Sequence, residues 1–235
     1  MIIIKKGISF LLLLTGLFGI IYASTNIYHY YNEYKVSGEK YEQLTAMYHE
    51  EQSDDKSLSD INSDYIGWIS VEGTDIEYPV VLPKDNDYYL DHNFYHEPDK
   101  VGAIFMDYRN SGEFLGENTV IYGHNMKDES MFGSLKKLIH EDVVDDPKIT
   151  LEFQGETYEW QVFSAYETYE ADWMQVEFEN DADYTTYINS LQQDSEKFPL
   201  KEKLSSSDKL ITLATCTPND RNERLVVQGK LIKDE

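Results

Sequence analysis

Cysteine is almost missing from this chain: Cys216 is the only one in 235 residues. One thiol excludes an internal disulfide framework. It leaves two readings of Cys216, a small buried hydrophobe or a reactive nucleophile. Positive charge is also scarce. Twenty Lys and Arg stand against 44 Asp and Glu, a formal net charge of −24. A chain this acidic, with no basic patch, is repelled by nucleic acid, so no nucleic-acid partner is expected. Internal repeats are missing, and no residue cluster marks a cofactor or metal site. Long uncharged apolar runs are limited to one.

That run is Gly7 to Ala23, 17 residues without charge, at the short end of what a membrane helix needs. Lys5 and Lys6 precede it and the next charge is Glu33. The positive-inside rule then puts the N-terminus in the cytoplasm and everything after about residue 25 outside. A cleaved signal peptide is the competing reading. Tyr22-Ala23-Ser24 is a weak cleavage site for it, and the run exceeds a usual signal core. Residues 1–24 are therefore read as a single-pass signal anchor, and the exported part carries −26.

Residues 25–58 read as a helical stalk and linker. Ile27, Tyr31, Tyr34, Tyr41, Leu44 and Tyr48 recur near helical spacing, with an interruption expected at Ser37-Gly38. Glu51 to Ser57 is polar and suits a linker. Residues 59–235 then form one domain of short strands. Tyr65 to Val71 alternates, and Ile76 to Leu82 follows with Pro79 marking a sheet edge or strand end. Asp85 to Leu90 suits a short helix or turn, Gly102 to Asp107 and Asn118 to Tyr122 suit strands, and Ser130 to Ile139 suits a helix. Ile149 to Phe153 and Thr157 to Tyr166 make a hairpin. Asp183 to Phe198 carries Tyr184, Tyr187, Ile188 and Leu191 at helical spacing. About eight short strands with few helices predict a mainly β fold, a barrel with helical insertions.

The last two strands carry the chemistry. Lys209 to Thr215 (KLITLAT) and Arg224 to Lys233 (RLVVQGKLIK) are β-branched runs separated by turn formers. As antiparallel neighbours they would set Cys216, ending one strand, beside Arg224, opening the next. A thiol beside an always-charged donor is the beginning of a nucleophilic site. Cysteine chemistry usually needs a histidine, and there are six. His29 and His49 fall in the stalk, His140 ends a helix, and His92 and His96 flank a polar loop. His124 sits after Gly123 at the end of a buried-looking strand, where catalytic groups tend to lie.

Thr212-Leu213-Ala214-Thr215-Cys216, with Arg224 heading a Leu-Val-Val strand and Tyr122-Gly123-His124-Asn125 upstream, resembles the sortase transpeptidases. Gly67-Trp68-Ile69, Tyr78-Pro79-Val80-Val81, GAIFMDYRN at 102–110 and GHNMKDESMFGSLKKL at 123–138 are similar to class B. The resemblance covers roughly residues 60–233. It implies an eight-stranded sortase β-barrel with N-terminal helices and a helix-bearing insertion before the last two strands. It implies Cys216 as nucleophile, His124 as general acid/base and Arg224, rather than nearby Arg221, as oxyanion stabiliser. It also implies Asn93, Thr215, Trp173 and Met174 along a substrate groove, with Trp173 equally readable as core.

The reaction so implied cleaves a C-terminal sorting signal, NPxTx- or LPxTG-like, after its Thr. The acyl group passes through a thioester to an amine of a cell-wall precursor, with no cofactor. Ala214 stands where class B commonly has Ser, and Thr215-Cys216-Thr217-Pro218 with Asn222 is similar to the pilin-polymerising class C. A pilin lysine is therefore the alternative acceptor. A hydrolytic cysteine peptidase with the same pair, and a non-catalytic scaffold with an inert Cys216, are the competing functions.

Overall fold

The computed structural model describes residues 2–50, 58–112, 116–141, 144–153, 155–191, 198, 200, 203–216 and 222–232, with the side chains of 2–11, 111, 112 and 216 not included. The expected linker at 51–57 and Arg221 lie outside the described residues. The chain divides into two compact units, Met1–Glu42 and Gln43–Glu235.

The first unit is helical, part of α1 (Ile2–Glu50). No interruption occurs at Ser37-Gly38. The Ser37 hydroxyl donates to the Glu33 carbonyl at 3.1 Å, and Lys35 pairs with Glu39 one turn on. One glycine costs about 1 kcal/mol in a helix interior, too little to break one this long. Leu12, Leu13, Leu17, Phe18, Ile20 and Ile21 are exposed along it, followed by Tyr28, Tyr30 and Tyr31. Among the described residues no helix is long and apolar enough to cross a membrane.

The second unit carries one short helix, α2 (Leu58–Ile61), ahead of a closed eight-stranded barrel in the order β1-β2-β3-β4-β7-β8-β6-β5. The strands are β1 (Tyr65–Val71), β2 (Glu77–Val81), β3 (Ile104–Met106), β4 (Asn118–Tyr122), β5 (Lys148–Phe153), β6 (Glu156–Thr168), β7 (Leu210–Cys216) and β8 (Arg224–Leu231). The pairs β2–β3 and β4–β7 are parallel and the others antiparallel, with β5 closing onto β1.

Alternation places the core. Ile121, Leu213 and Val227 face one another across β4, β7 and β8, all fully buried. On the opposite face Val120, Thr212 and Gln228 are fully buried too, under the insertion between β6 and β7. Burial on both faces is why these strands read as nearly continuous apolar runs.

Pro79 lies inside β2, not at a sheet edge, opposite Trp68 of β1. The ladder to β3 begins only at Val80, so no donor is required of Pro79 on that side. The helix expected over Ser130–Ile139 is shorter. A 3-10 turn at Gly133–Lys136 leads into one α turn, α3 (Lys137–His140), after positive φ at Glu129 and Met131. The insertion carries a 3-10 turn at Asp172–Met174 and helix α4 (Asp181–Leu191). Asn180 caps α4, its Oδ1 accepting the N–H groups of Ala182 and Asp183. Tyr184, Tyr187, Ile188 and Leu191, one stripe at i, i+3, i+4 and i+7, pack on Phe163 and Leu210. The expected extension of α4 through 192–197 lies outside the described residues.

Candidate active site

Strand pairing assembles the site. In the β7–β8 ladder Cys216 is opposite Arg224, the last residue of one strand against the first of the next. Opposed residues of an antiparallel pair have Cβ atoms roughly 5 Å apart. Arg224 is half-buried, and its Nη1 donates to the Glu223 carbonyl at 3.1 Å.

The third residue arrives from β4. Its parallel register with β7 sets Tyr122 across from Ala214, and the Gly123 N–H still donates to the Ala214 carbonyl at 3.3 Å. His124 is two residues past Tyr122 and Cys216 two past Ala214. The backbones that carry them leave neighbouring strands, about 4.8 Å apart, at the same end.

His124 is half-buried, and its Nε2 lies 2.6 Å from the Leu90 carbonyl oxygen. A carbonyl only accepts, so Nε2 carries the proton of this bond and Nδ1 is the atom left to exchange one. Leu90 ends a 3-10 turn at Tyr88–Leu90 that Asp85 starts, its Oδ1 accepting from the Asp87 and Tyr88 N–H groups. His92 stacks on Tyr88 at 4.2 Å, and Tyr88 OH lies 3.2 Å from His96 Nδ1, so both rim histidines brace the turn that holds Leu90.

Two glycines make room for His124. A Cβ on Gly123 would run into Ile104 and Phe132. Gly102 has φ +64°, and a Cβ there would lie 2.9 Å from His124 Cδ2 and 2.5 Å from the Tyr89 carbonyl.

Beneath the site lies one buried carboxylate. The Asp107 side chain is fully buried and accepts from Arg109 Nε at 2.9 Å, Arg109 Nη2 at 2.7 Å, Tyr122 OH at 2.8 Å and Asn86 Nδ2 at 2.9 Å. Burial by itself would raise the Asp107 pKa. The Arg109 side chain and backbone N–H, with Tyr122, overturn that and hold the carboxyl below its ordinary range. The Tyr122 phenol is pushed up, by burial first and then by Asp107. Asn110, in the same run, bridges the Asn118 carbonyl and the Val120 N–H of β4 with its amide.

The four expected groove residues fall in different settings. Asn93 is buried in its own loop. Its Oδ1 accepts the N–H groups of Tyr95 and Glu97, and its Nδ2 donates to Glu97 and Asp99. Thr215 alternates to the opposite face of β7 from Ala214, buried, its Oγ1 without a partner among the described residues. Trp173 is core. It is 2% exposed against Val120, Val176, Ala214 and Val226, with Nε1 donating to the Glu170 carbonyl. Met174 packs on the same cluster with its side chain partly exposed, as do Tyr122 and Tyr166.

Sequence reasoning missed Leu90, Asp107, Arg109 and Asn118. Asp107 and Arg109 were in plain view within GAIFMDYRN. Leu90 acts through a backbone carbonyl, which no side-chain pattern announces. Among the described residues no group of three His, Cys, Asp or Glu is placed to share a metal ion.

The sortase domain family model matches residues 69–232. Sortase B of Listeria monocytogenes is 42% identical over 181 residues, covering 75% of this chain and 73% of that protein. Sortase B of Staphylococcus aureus is 37% identical over 183 residues, covering 76% and 74%. Among solved structures, sortase B of Bacillus anthracis in complex with AAEK1 superposes with TM-score 0.75 at 33% identity, over 87% of this chain and all of that one. The Staphylococcus aureus sortase B–substrate complex superposes with TM-score 0.74 at 32% identity, over 86% and 99%.

The depressed Asp107 pKa has a testable sign. A folded-state value below the unfolded one, about 3.9, stabilises the fold fully above that pH, and the contribution is lost as pH falls through the folded value. Asp107→Asn is expected to cost about 2–3 kcal/mol near pH 7. The gap to wild type should shrink toward zero only as pH falls through the depressed folded-state value, below which both side chains are neutral. Urea midpoints of the two proteins across that range check this.

Proposed function

The chain belongs to the sortase family and is a class B cysteine transpeptidase, and from that premise we propose that it cleaves a C-terminal sorting signal after its Thr and joins the acyl group to an amine of the cell wall. The observation that carries the reading is the register of β7 on β8, with Cys216 opposite Arg224 and the His124 backbone leaving the neighbouring strand at the same end. Two solved relatives support the substrate class: one Staphylococcus aureus sortase B structure is a substrate complex and another sortase B is complexed with triglycine.

Cys216 is the nucleophile. Its thiolate adds to the Thr carbonyl of the signal, and the oxyanion is met by Arg224, which cannot lose its charge. His124, protonated on both nitrogens, keeps Nε2–H on the Leu90 carbonyl and delivers the Nδ1 proton to the leaving amine. The C–N bond breaks and a thioester remains. An incoming wall amine adds to the thioester and gives a proton back to Nδ1. The C–S bond breaks and the thiolate is restored.

The proposed division of the chain serves that reaction. Residues 1–24 anchor the enzyme in the membrane, 25–58 form the stalk and 59–235 the extracellular catalytic domain. The uncharged run Gly7 to Ala23 behind Lys5 and Lys6 supports the anchor.

The full-length protein, incubated with NPxTx and LPxTG peptides with and without amine acceptors, is expected to form amide product with one motif. Mass spectrometry reads the result. Cys216→Ala is expected to keep its fold and form none. Free acid alone, in the presence of acceptor, would move the assignment to a peptidase. Gly102→Ala is expected to lower kcat by about 10- to 100-fold by displacing His124, with alkylation of Cys216 by a small reagent retained. An unchanged kcat would refute the assigned place of His124. In cell fractionation the chain is expected to remain with membranes after alkaline extraction, and a form lacking residues 1–24 to be released. Release of both would rule out the anchor.

A further inference from the structure

One set of contacts has no part in the reaction just described. Three consecutive carbonyls of the insertion, those of Trp173, Met174 and Gln175, each accept from a side chain of another element, and the Trp173 carbonyl also accepts the Tyr187 hydroxyl at 3.4 Å. Asn118 Nδ2 donates to the Trp173 carbonyl at 3.3 Å and to the Gln175 carbonyl at 2.9 Å. Arg109 Nη2 donates to the Met174 carbonyl between them at 3.0 Å. Both donors are themselves locked. Asn118 is fully buried, its Oδ1 accepts the Thr212 hydroxyl at 2.8 Å, and Tyr187 OH lies 3.0 Å from Nδ2, so the amide has one workable orientation. Arg109 is held in the two-pronged bond to Asp107. Asn118 opens β4 and Arg109 follows β3, the framework that also carries Tyr122 and His124.

The consequence is a segment fixed by its backbone. Trp173 fills the core below, and the Met174 side chain stays partly exposed beside Tyr122 and Ala214. Met174 and Tyr122, both partly exposed over the buried Ala214, line the surface that runs from the end of β7 toward the insertion. This surface adjoins the end of β7, so a peptide whose Thr reaches Cys216 crosses it with its preceding residues.

We propose that Asn118 and Arg109 are positioning residues that set the height of the Trp173–Gln175 segment over the β4–β7 floor and thereby the affinity for the sorting peptide, an inference that rests on the transpeptidase reading above. Neither touches the reacting atoms. Their loss therefore removes binding shared by ground and transition states, which moves KM and leaves kcat nearly unchanged.

Two variants test this in the full-length protein. Arg109→Lys keeps a cation for Asp107 and loses the fork that reaches Met174. Asn118→Asp keeps an acceptor for Thr212 and removes both donations. Arg109→Lys is expected to raise the peptide KM about tenfold with kcat within about threefold, and Asn118→Asp to raise it further. Backbone amides of residues 172–176 are expected to exchange faster in both. A merely structural role would instead lower kcat in proportion to the folded fraction with KM unmoved, and that result overturns the proposal. If Asn118→Asp does not fold, Arg109→Lys decides alone. If the wild type forms no amide with any peptide, the transpeptidase reading fails. Exchange at 172–176 unchanged in Arg109→Lys overturns the clamp whatever the activity.

Discussion

Everything at the active end depends on the parallel pairing of β4 with β7, in the register that sets Tyr122 across from Ala214. Most pairs in this barrel are antiparallel and could be joined by short turns. A parallel pair cannot be, and its crossover must be long. Here the crossover runs through β5, β6 and the insertion before the chain returns as β7. The return delivers Cys216 beside the strand end from which His124 departs. It also leaves the insertion lying over the outer face of the strands that bear them. One pairing thus sets the proposed nucleophile, the proposed acid/base and the proposed wall of the peptide groove.

The polar groups beneath that wall follow a consistent economy. Asp107 is a fully buried carboxylate, which is costly unless every lone pair is met. It is met by both ends of the Arg109 fork, by Tyr122 and by Asn86. Once fixed by that charge, Arg109 still has a donor to spare, and it goes to a backbone carbonyl of the insertion. Asn118 does the same from a neutral amide. Backbone carbonyls recur as the receiving groups: Leu90 for His124, Met174 for Arg109, Trp173 and Gln175 for Asn118. Geometry built this way does not depend on the side chains of the receiving residues.

Glycine has a related use. Gly102 and Gly123 stand where a methyl group would strike His124 or the packing around it. The histidine therefore sits in a slot defined by the absence of side chains just before β3 and just after β4, with the Leu90 carbonyl closing one end.

The sequence by itself determined the strand count, the hairpin of β5 and β6, the opposition of Cys216 and Arg224, and the stripe on α4. These follow from period-2 and period-3.6 patterns and from turn chemistry, which are local in the chain. The glycine before it and the strand end made His124 a candidate among six histidines, and the resemblance of the surrounding motifs to the sortases selected it. Tertiary structure decided the rest. It carried α1 straight through Ser37-Gly38, cut the expected helix after Ser130 to a 3-10 turn and one α turn, and put Pro79 inside a barrel with no edge. It sank Trp173 into the core and turned Thr215 to the face away from Ala214. The loop amide of Asn93 was taken up by Glu97 and Asp99. Each of those outcomes depends on which residue distant in sequence arrives as neighbour. That is set by strand register and by the satisfaction of buried polar groups, and neither leaves a periodic trace along the chain.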